Sequence, residues 1–394
     1  MDDFLVSAPG KVILHGEHAV VYGKAALATS LNIRTFMRLS RTQDGMLTVN
    51  LPNISVKASW PVETIKSCFS LPFIDTPTPQ LDKVTPDILN QIKEFANIDK
   101  DSAQTTELAV VALLFLYGSI AAKTGTLPSI TICVLSKLPA SAGLGSSAAY
   151  SVCLVTGLLS LSGLIQEHAA GDRHEGMWSK EELLLINSWA FIGEKIIHGN
   201  PSGIDNSIST FGGAIRFQAG KISRLDKMPP LRILLVNTKV PRSTKLLVAG
   251  VKERYTKYPY VMKSVMDTTE AITNICQEVL SQMAEKESGE YYTMLEDFID
   301  INQHQLGAMG VSHPSLDQIV LVSAKYGLHT KLTGAGGGGC TFTLIRPDTP
   351  PDTISALRQE LENLGFSSWE TKLGSFGIIQ HFSSNGTFDI PVNL

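Results

Sequence analysis

The sequence predicts two α+β domains facing each other, on three observations. Its 394 residues exceed what one ordinary core accommodates. Strand-like and helix-like stretches alternate without an internal repeat, and the break at Asp226-Lys227-Met228-Pro229-Pro230 separates residues 1–228 from 229–394. Each half carries a dense loop of small residues, 139–147 in the first and 334–339 in the second, of the kind that lets backbone amides approach a ligand.

Taken in order, residues 4–8 and 12–14 read as strands with Pro9-Gly10-Lys11 turning between them. Residues 20–21 and 25–39 continue the strand character, and Asp44-Gly45 is a hairpin signal into a strand over 46–56. Pro72, Pro77, Pro79 and Pro86 mark an exposed connection over 71–101 around at most one helix, 87–96. Helical periodicity covers 106–122, and an apolar helix over 147–161 ends near Gly163, before a solvated loop over 166–178. Ser179 and Glu182 form a capping box for a helix running to 197, which Gly199 stops. Asn200 is expected to cap the next helix with Pro201 in its first turn, and Gly212-Gly213 breaks it before a strand over 214–217. The second half reads as a strand over 231–236 and helices over 243–255, 264–283 and 291–307. After the second glycine loop come a strand over 341–345, a helix over 353–364 and a terminal strand region.

Composition narrows the function. Hydrophobic residues make up 43% and charged residues 18%, as in a well-packed enzyme. The net charge of −4 gives no general affinity for nucleic acid or anionic membrane, so an anionic ligand needs a local site. The five cysteines form no C-x-x-C and read as buried thiols, and no apolar run is judged able to span a bilayer. An acidic start without a signal-peptide pattern predicts a reducing, cytoplasmic setting and leaves a peroxisomal association open, although the chain ends without an S-K-L address.

Residues 139–147 sit between an apolar strand-like run and an apolar helix, the order that builds an anion site at a helix N-terminus. Gly143 and Gly145 allow backbone angles other residues resist, and Ser146 and Ser147 place hydroxyls at the helix start. Alone, such a loop could equally be a tight turn capped by serine. It is not a Walker A loop, because Ser146 rather than lysine follows Gly145. Lys11 lies between apolar strands with Glu17 and His18 close behind. Glu194, among apolar neighbours, and Asp205, eleven residues on, form a carboxylate pair; Asp205 alone could be a helix-dipole partner. The remaining histidines show no metal-ligand spacing and read as structural or solvated.

The run P-x-x-x-G-L-G-S-S-A from Pro139, the N-terminal A-P-G-K-V-I-L-H-G-E-H-A-V-V from Ala8 and K-L-T-G-A-G-G-G-G-C from Lys331 resemble the three motifs of the GHMP kinases. The resemblance spans most of the chain from Ser7 to about Cys340 and weakens over 57–105 and after 346; Ser141 departs from a glycine found in some members. It implies a ribosomal protein S5 domain 2-like ATP-binding domain over 1–228 and a ferredoxin-like domain over 229–394. Within the family, G-E-H-A-V-V and G-E-K-I-I-H-G-N-P-S-G-I-D-N are similar to the mevalonate-using branch, implying ATP-dependent phosphorylation of mevalonate in isoprenoid and sterol precursor synthesis. An apolar wall at Ala19–Val21 suits a methyl-bearing alcohol better than a sugar, though it could also be core.

By position, the resemblance makes Asp205 the base, with Lys11 stabilising charge, and gives Mg2+ to Ser147 and Glu194. It assigns ATP to Lys11, Asn53, Ser136, Ser141, Ala142, Gly143, Leu144, Gly145, Ser146 and Ser147. Substrate falls to Glu17, His18, Tyr150, Ile197, Asp205, Thr244, Gly334 and Ala335. It also implies a homodimer and feedback inhibition by prenyl diphosphates. Phosphomevalonate kinase, galactokinase and a non-catalytic sensor on a kinase fold are the rival readings; retention of Lys11, Ser147, Glu194 and Asp205 together argues against the sensor.

Overall fold

The strand that carries Lys11, β1 (Asp3–His15), runs unbroken through the N-terminal sheet. The computed structural model describes residues 3–68, 78–79, 81–98, 103–121, 127–139, 142–168 and 178–382. Pro9-Gly10 does not turn the chain as expected. The register with β2 (Ala26–Arg41) shifts there instead, Pro9 opposing Arg34 and Gly10 opposing Leu31, so the extra residues of a bulge lie on β2. A neighbour explains the glycine: its Cβ would lie 2.4 Å from Leu138 Cδ2 and 2.8 Å from Leu144 O. Lys11 N donates to that same Leu144 carbonyl at 2.8 Å, fastening the small-residue loop to the strand. Residues Ala19–Tyr22, expected as strand in part, form a 3-10 turn opened by His18 at φ 60° and closed by Gly23 at φ 78°.

Asp44-Gly45 reverses the chain, but the flanking strands are not partners. β5 (Ile130–Ser136) inserts between β2 and β3 (Met46–Leu51), antiparallel to the first and parallel to the second, and β4 (Val56–Pro61) closes the edge. The Ser129 hydroxyl donates to Asp44 Oδ1 at 2.7 Å and pins this junction. β2 is long enough for two partners along one edge, β5 at residues 35–41 and β6 (Ala214–Gln218) at 26–29; β7 (Lys221–Arg224) then pairs with β6.

Among the described residues, six helices belong to this half: α1 (Val62–Cys68), α2 (Pro86–Ala96), α3 (Gln104–Ala121), α4 (Ser146–Leu161), α5 (Lys180–His198) and α6 (Ile204–Phe211). α4 is buried from Ala148 to its end, packed between the sheet and α3, α5 and α6, which is why its sequence is apolar all round. By length and composition α3 could cross a membrane, contrary to expectation, but most of it is buried inside the protein. The capping box at Ser179 and Glu182 forms as expected. The next helix starts later than expected, with Gly203 (φ 84°) rather than Asn200 at its N-cap. The expected loops over 71–101 and 166–178 lie partly outside the described residues.

In the second half, β8 (Arg232–Asn237) leads to four helices, α7 (Thr244–Lys257), α8 (Pro259–Glu285), α9 (Gly289–Met309) and α10 (Pro314–Lys325). Then follow β9 (Thr330–Thr333), β10 (Cys340–Ile345), α11 (Pro351–Asn363) and β11 (Ser367–Lys372). The sheet runs β11-β8-β10-β9, all antiparallel, the ferredoxin-like arrangement with an enlarged first crossover. The division at 228/229 is crossed at the end of the chain, where β12 (Ile379–His381) pairs with β1. Arg34 holds this return: Nη1 donates to Phe376 O at 2.9 Å, Nη2 also to Gly377 O, and Nε to Ser7 Oγ at 2.7 Å.

Candidate active site

A cavity of about 680 Å³ opens where β1, the N-termini of α4 and α6, the end of α5 and the second glycine loop converge. Every residue assigned to catalysis, ATP, substrate or Mg2+ from the resemblance lines it except Ser141, which lies outside the described residues. Gly143 and Gly145 both take φ 74°, and Gly145 is the N-cap of α4. The start of the helix, whose first-turn amides have no intrahelical partner, therefore lines the cavity with Gly145, Ser146 and Ser147. Asn53 fixes the mouth of this loop: Ser136 N donates to its Oδ1 at 2.7 Å, and its Nδ2 donates to Ser136 O at 2.9 Å.

The charged cluster stands beside the same helix start. Lys11, only 7% exposed, places Nζ 3.4 Å from Asp205 Oδ1. Asp205 occupies the first turn of α6, where the helix dipole favours an anion. A Cβ on Gly145 would lie 3.0 Å from Lys11 Cγ and 3.6 Å from Asp205 Oδ2, so the small loop is what admits this pair. Glu194 is 3% exposed and its Oε1 has no hydrogen-bond partner. Burial, then the neighbouring Asp205 charge, pushes its carboxyl up to about 8, against the opposing effects of Ser147 and Lys11. His198 Nε2 lies 2.9 Å from Ser147 Oγ and 4.0 Å from Glu194 Oε2.

The raised carboxyl makes a stability prediction. The folded protein keeps the Glu194 proton where the unfolded chain has lost it, so this contribution is full below about pH 4.5 and disappears as pH rises through about 8. Glu194→Gln should therefore gain stability relative to the wild type between pH 5 and pH 8, by at most about 1.4 kcal/mol per pH unit. Thermal unfolding of both ligand-free proteins at the two pH values checks it; a constant difference would contradict it.

Three residues of the site were not singled out from the sequence, although each lies in a run that resembles the family. Arg242 joins the two glycine loops, Nη2 donating to Ala142 O at 2.8 Å and Nη1 to Gly338 O at 3.3 Å. A Cβ on Gly143 or Gly339 would stand 2.0 or 2.3 Å from its guanidinium nitrogens. The second loop thus meets the first through an arginine and meets His18 Nε2 through Ala335 O at 2.8 Å, while its glycines otherwise closely approach Val311, Val240 and Leu247 of its own half. His198 had a readable signal, its four-residue spacing from Glu194; Lys331 opens the K-L-T-G-A-G-G-G-G-C run, but nothing in the sequence marks Glu17 as its partner. The expected apolar wall divides: Ala19 belongs to the core, while Val20 and Val21 line the cavity.

Family models match both halves, "GHMP kinases N terminal domain" over 109–213 and "GHMP kinases C terminal" over 287–363. The chain is 49% identical to the mevalonate kinase of Bos taurus over 97% of its own length and 96% of that protein's. With the mevalonate kinase of Arabidopsis thaliana it shares 37% identity, over 94% of this chain and 97% of the relative. The chain belongs to the mevalonate kinase family of GHMP kinases. A solved structure of the family, L. major mevalonate kinase in complex with R-mevalonate, has the same fold at a TM-score of 0.67 and 22% identity, covering 94% of this chain and 96% of that one. The Methanococcus jannaschii enzyme matches at 0.66 and 20%, over 94% and 98%. The α+β two-domain fold expected from the sequence is therefore that of a GHMP kinase.

Proposed function

We propose that this protein transfers the γ-phosphoryl group of ATP to the primary hydroxyl of mevalonate, giving 5-phosphomevalonate for isoprenoid and sterol precursor synthesis. The observation that carries the reading is the Lys11–Asp205 pair, 3.4 Å apart beside a helix-start loop, in a chain of this family. The substrate oxygen attacks the γ-phosphorus as the bond to the ADP oxygen breaks, and the hydroxyl proton passes to Asp205. Lys11 holds the attacking oxygen and neutralises charge developing on the transferred group. The amides and hydroxyls of residues 142–147, with Asn53 and Ser136, hold the nucleotide; Ser141 is proposed with them from sequence alone. Glu17, His18, Tyr150, Ile197, Thr244, Gly334 and Ala335 surround the alcohol, with Val20 and Val21 against its methyl group.

No group of three or more His, Cys, Asp or Glu side chains that could hold a metal occurs among the described residues. Mg2+ nonetheless fits Ser147 and Glu194, because a buried carboxylate oxygen without a partner stands beside a hydroxyl, and this ion needs only one or two protein oxygens. When bound, it supplies charge neutralisation on the phosphates. Family resemblance supports three further proposals: a homodimer, inhibition by prenyl diphosphates competing at the nucleotide site, and a cytoplasmic location.

Turnover of ATP against mevalonate, phosphomevalonate, galactose and homoserine tests the assignment. Mevalonate should be phosphorylated and the other three left essentially untouched. Preferential use of a sugar or of phosphomevalonate would overturn the substrate while leaving the fold intact.

A further inference from the structure

The 3-10 turn after β1 (Ala19–Tyr22) brings Val20 and Val21 to the cavity, yet its side-chain anchors lie mainly in the other half of the chain. Ala19 is buried in an apolar cluster whose other buried members, among the described residues, all come from 251–332, Val251, Met262, Met266 and Leu306 included. Tyr22 stacks on Tyr255 of α7, with ring centroids 4.6 Å apart and planes inclined by 18°. Lys24, just past the turn, places Nζ 2.6 Å from Asp267 Oδ1 and 3.0 Å from Glu270 Oε2, both on α8. From its own half the turn has backbone bonds, Val20 N to Gly16 O at 3.1 Å and Val21 N to His18 O at 3.0 Å, and a long contact from Gln218 Nε2 to Gly23 O at 3.4 Å.

Local bonds of that kind do not fix a turn by themselves. Its hydrogen-bond geometry is poor, and His18 enters it at φ 60°, a backbone angle that a side-chain-bearing residue holds only where the surroundings enforce it. The anchors differ in weight. Lys24, Asp267 and Glu270 are 23, 40 and 22% exposed, so water screens their attraction and the ion pairs contribute little. The stack sets two aromatic faces against an apolar cluster and is the stronger hold. It also has a direct line to the site: α7 carries Tyr255 near its end and presents Thr244 and Val248, from its first two turns, to the same cavity as Val20 and Val21. Tyr255 itself is not among the residues lining that cavity.

We propose that Tyr255 is a positioning residue for substrate specificity: by stacking on Tyr22 it holds Val20 and Val21 where the methyl group of the alcohol is recognised. This rests on the mevalonate reading and adds to it the residue that sets the apolar wall. A segment of the first half thereby takes its shape from the second, so discrimination for the methyl group depends on the apposition of the two.

The test has two readouts on Tyr255→Ala and Tyr255→Phe. The first is amide hydrogen exchange in the ligand-free proteins. Removing the ring should speed exchange at Val20, Val21, Gly23 and Lys24 by about threefold or more, with the amides of β1 unchanged, while Tyr255→Phe keeps the stack and the wild-type rates. The second crosses the variants with removal of the substrate methyl group, using mevalonate and 3,5-dihydroxypentanoate. The wild type should prefer mevalonate in kcat/KM by about 10- to 100-fold, the range of one methyl group in an apolar pocket. In Tyr255→Ala that preference should fall about fivefold or more, through a higher KM for mevalonate. The analogue's kcat/KM and the KM for ATP should each move by no more than about twofold, because only the methyl contact is lost. Tyr255→Phe should keep the wild-type preference. Should Tyr255→Ala fail to fold, Tyr255→Leu, which keeps apolar volume without a ring, replaces it under the same expectations. Unchanged exchange, an undiminished preference, a wild type indifferent to the methyl group, equal loss of both alcohols, or a Phe variant as impaired as the Ala variant each overturns the proposal. Absence of mevalonate turnover by the wild type would overturn the functional reading instead, and the exchange rates, which need no substrate, would still decide whether Tyr255 holds the turn.

Discussion

Asp205→Asn should lower kcat by about 10²- to 10⁴-fold, the usual contribution of a general base, while the KM for ATP changes by no more than a few-fold. Asparagine keeps the shape of the side chain and its place in the first turn of α6 but cannot accept the alcohol proton. The nucleotide is held elsewhere, by the loop before α4 and by Asn53 and Ser136, whose mutual hydrogen bonds do not involve Asp205. Steady-state kinetics with ATP and mevalonate varied in turn separate the two effects. Near-normal kcat would show that Asp205 serves only as partner to Lys11 or to its helix dipole.

Arg242→Met should lower kcat/KM by roughly 10²-fold or more, from the loss of two hydrogen bonds made by a charged donor, each contributing about 1.5–3 kcal/mol when buried. The guanidinium binds Ala142 O and Gly338 O at once and fills space that Gly143 and Gly339 leave open. Methionine fills part of the volume but joins neither carbonyl. Arg242→Lys should rescue little, because a single ammonium does not reproduce a planar fork reaching two loops. Kinetics of both variants beside their thermal unfolding check this; loss of stability with unchanged kcat/KM would make Arg242 a purely structural strut.

Most helices were legible from local chemistry: Ser179 with Glu182 before α5, Ser243 before α7, and an unbroken apolar stretch through α4. The errors arose where distant chain decides local shape. Pro9-Gly10 reads as a turn, yet the Leu144 carbonyl requires a glycine within an unbroken strand. Asp44-Gly45 reads as a hairpin, yet β5 arrives from more than eighty residues downstream to separate the strands. β12 returns to the first sheet through Arg34, whose carbonyl partners at 376 and 377 leave no local pattern.

The site shows the same division. Lys11, Glu194 and Asp205 stood out as charges in apolar or glycine-rich surroundings. Arg242 did not, because its partners are backbone carbonyls on two separate loops, and Lys331 did not, because only folding brings it to Glu17. The second glycine loop was read as a backbone that approaches a ligand or the first loop closely, and Arg242 does join it to the first. Its five positive φ values at Gly334, Gly336, Gly337, Gly338 and Gly339 also serve packing within its own half.

A magnesium titration of activity in Glu194→Gln and Asp205→Asn tests the division of labour between the two carboxylates most directly. Removing charge from the cation site should raise the magnesium concentration giving half-maximal activity in Glu194→Gln, with partial recovery at excess metal, because a hard cation depends on its anionic oxygen ligands. Asp205→Asn should keep the wild-type midpoint and show no recovery, since what it lacks is a proton acceptor. Recovery of Asp205→Asn by magnesium with an unchanged midpoint in Glu194→Gln would reverse the two roles, and near-normal turnover in both variants would contradict the account.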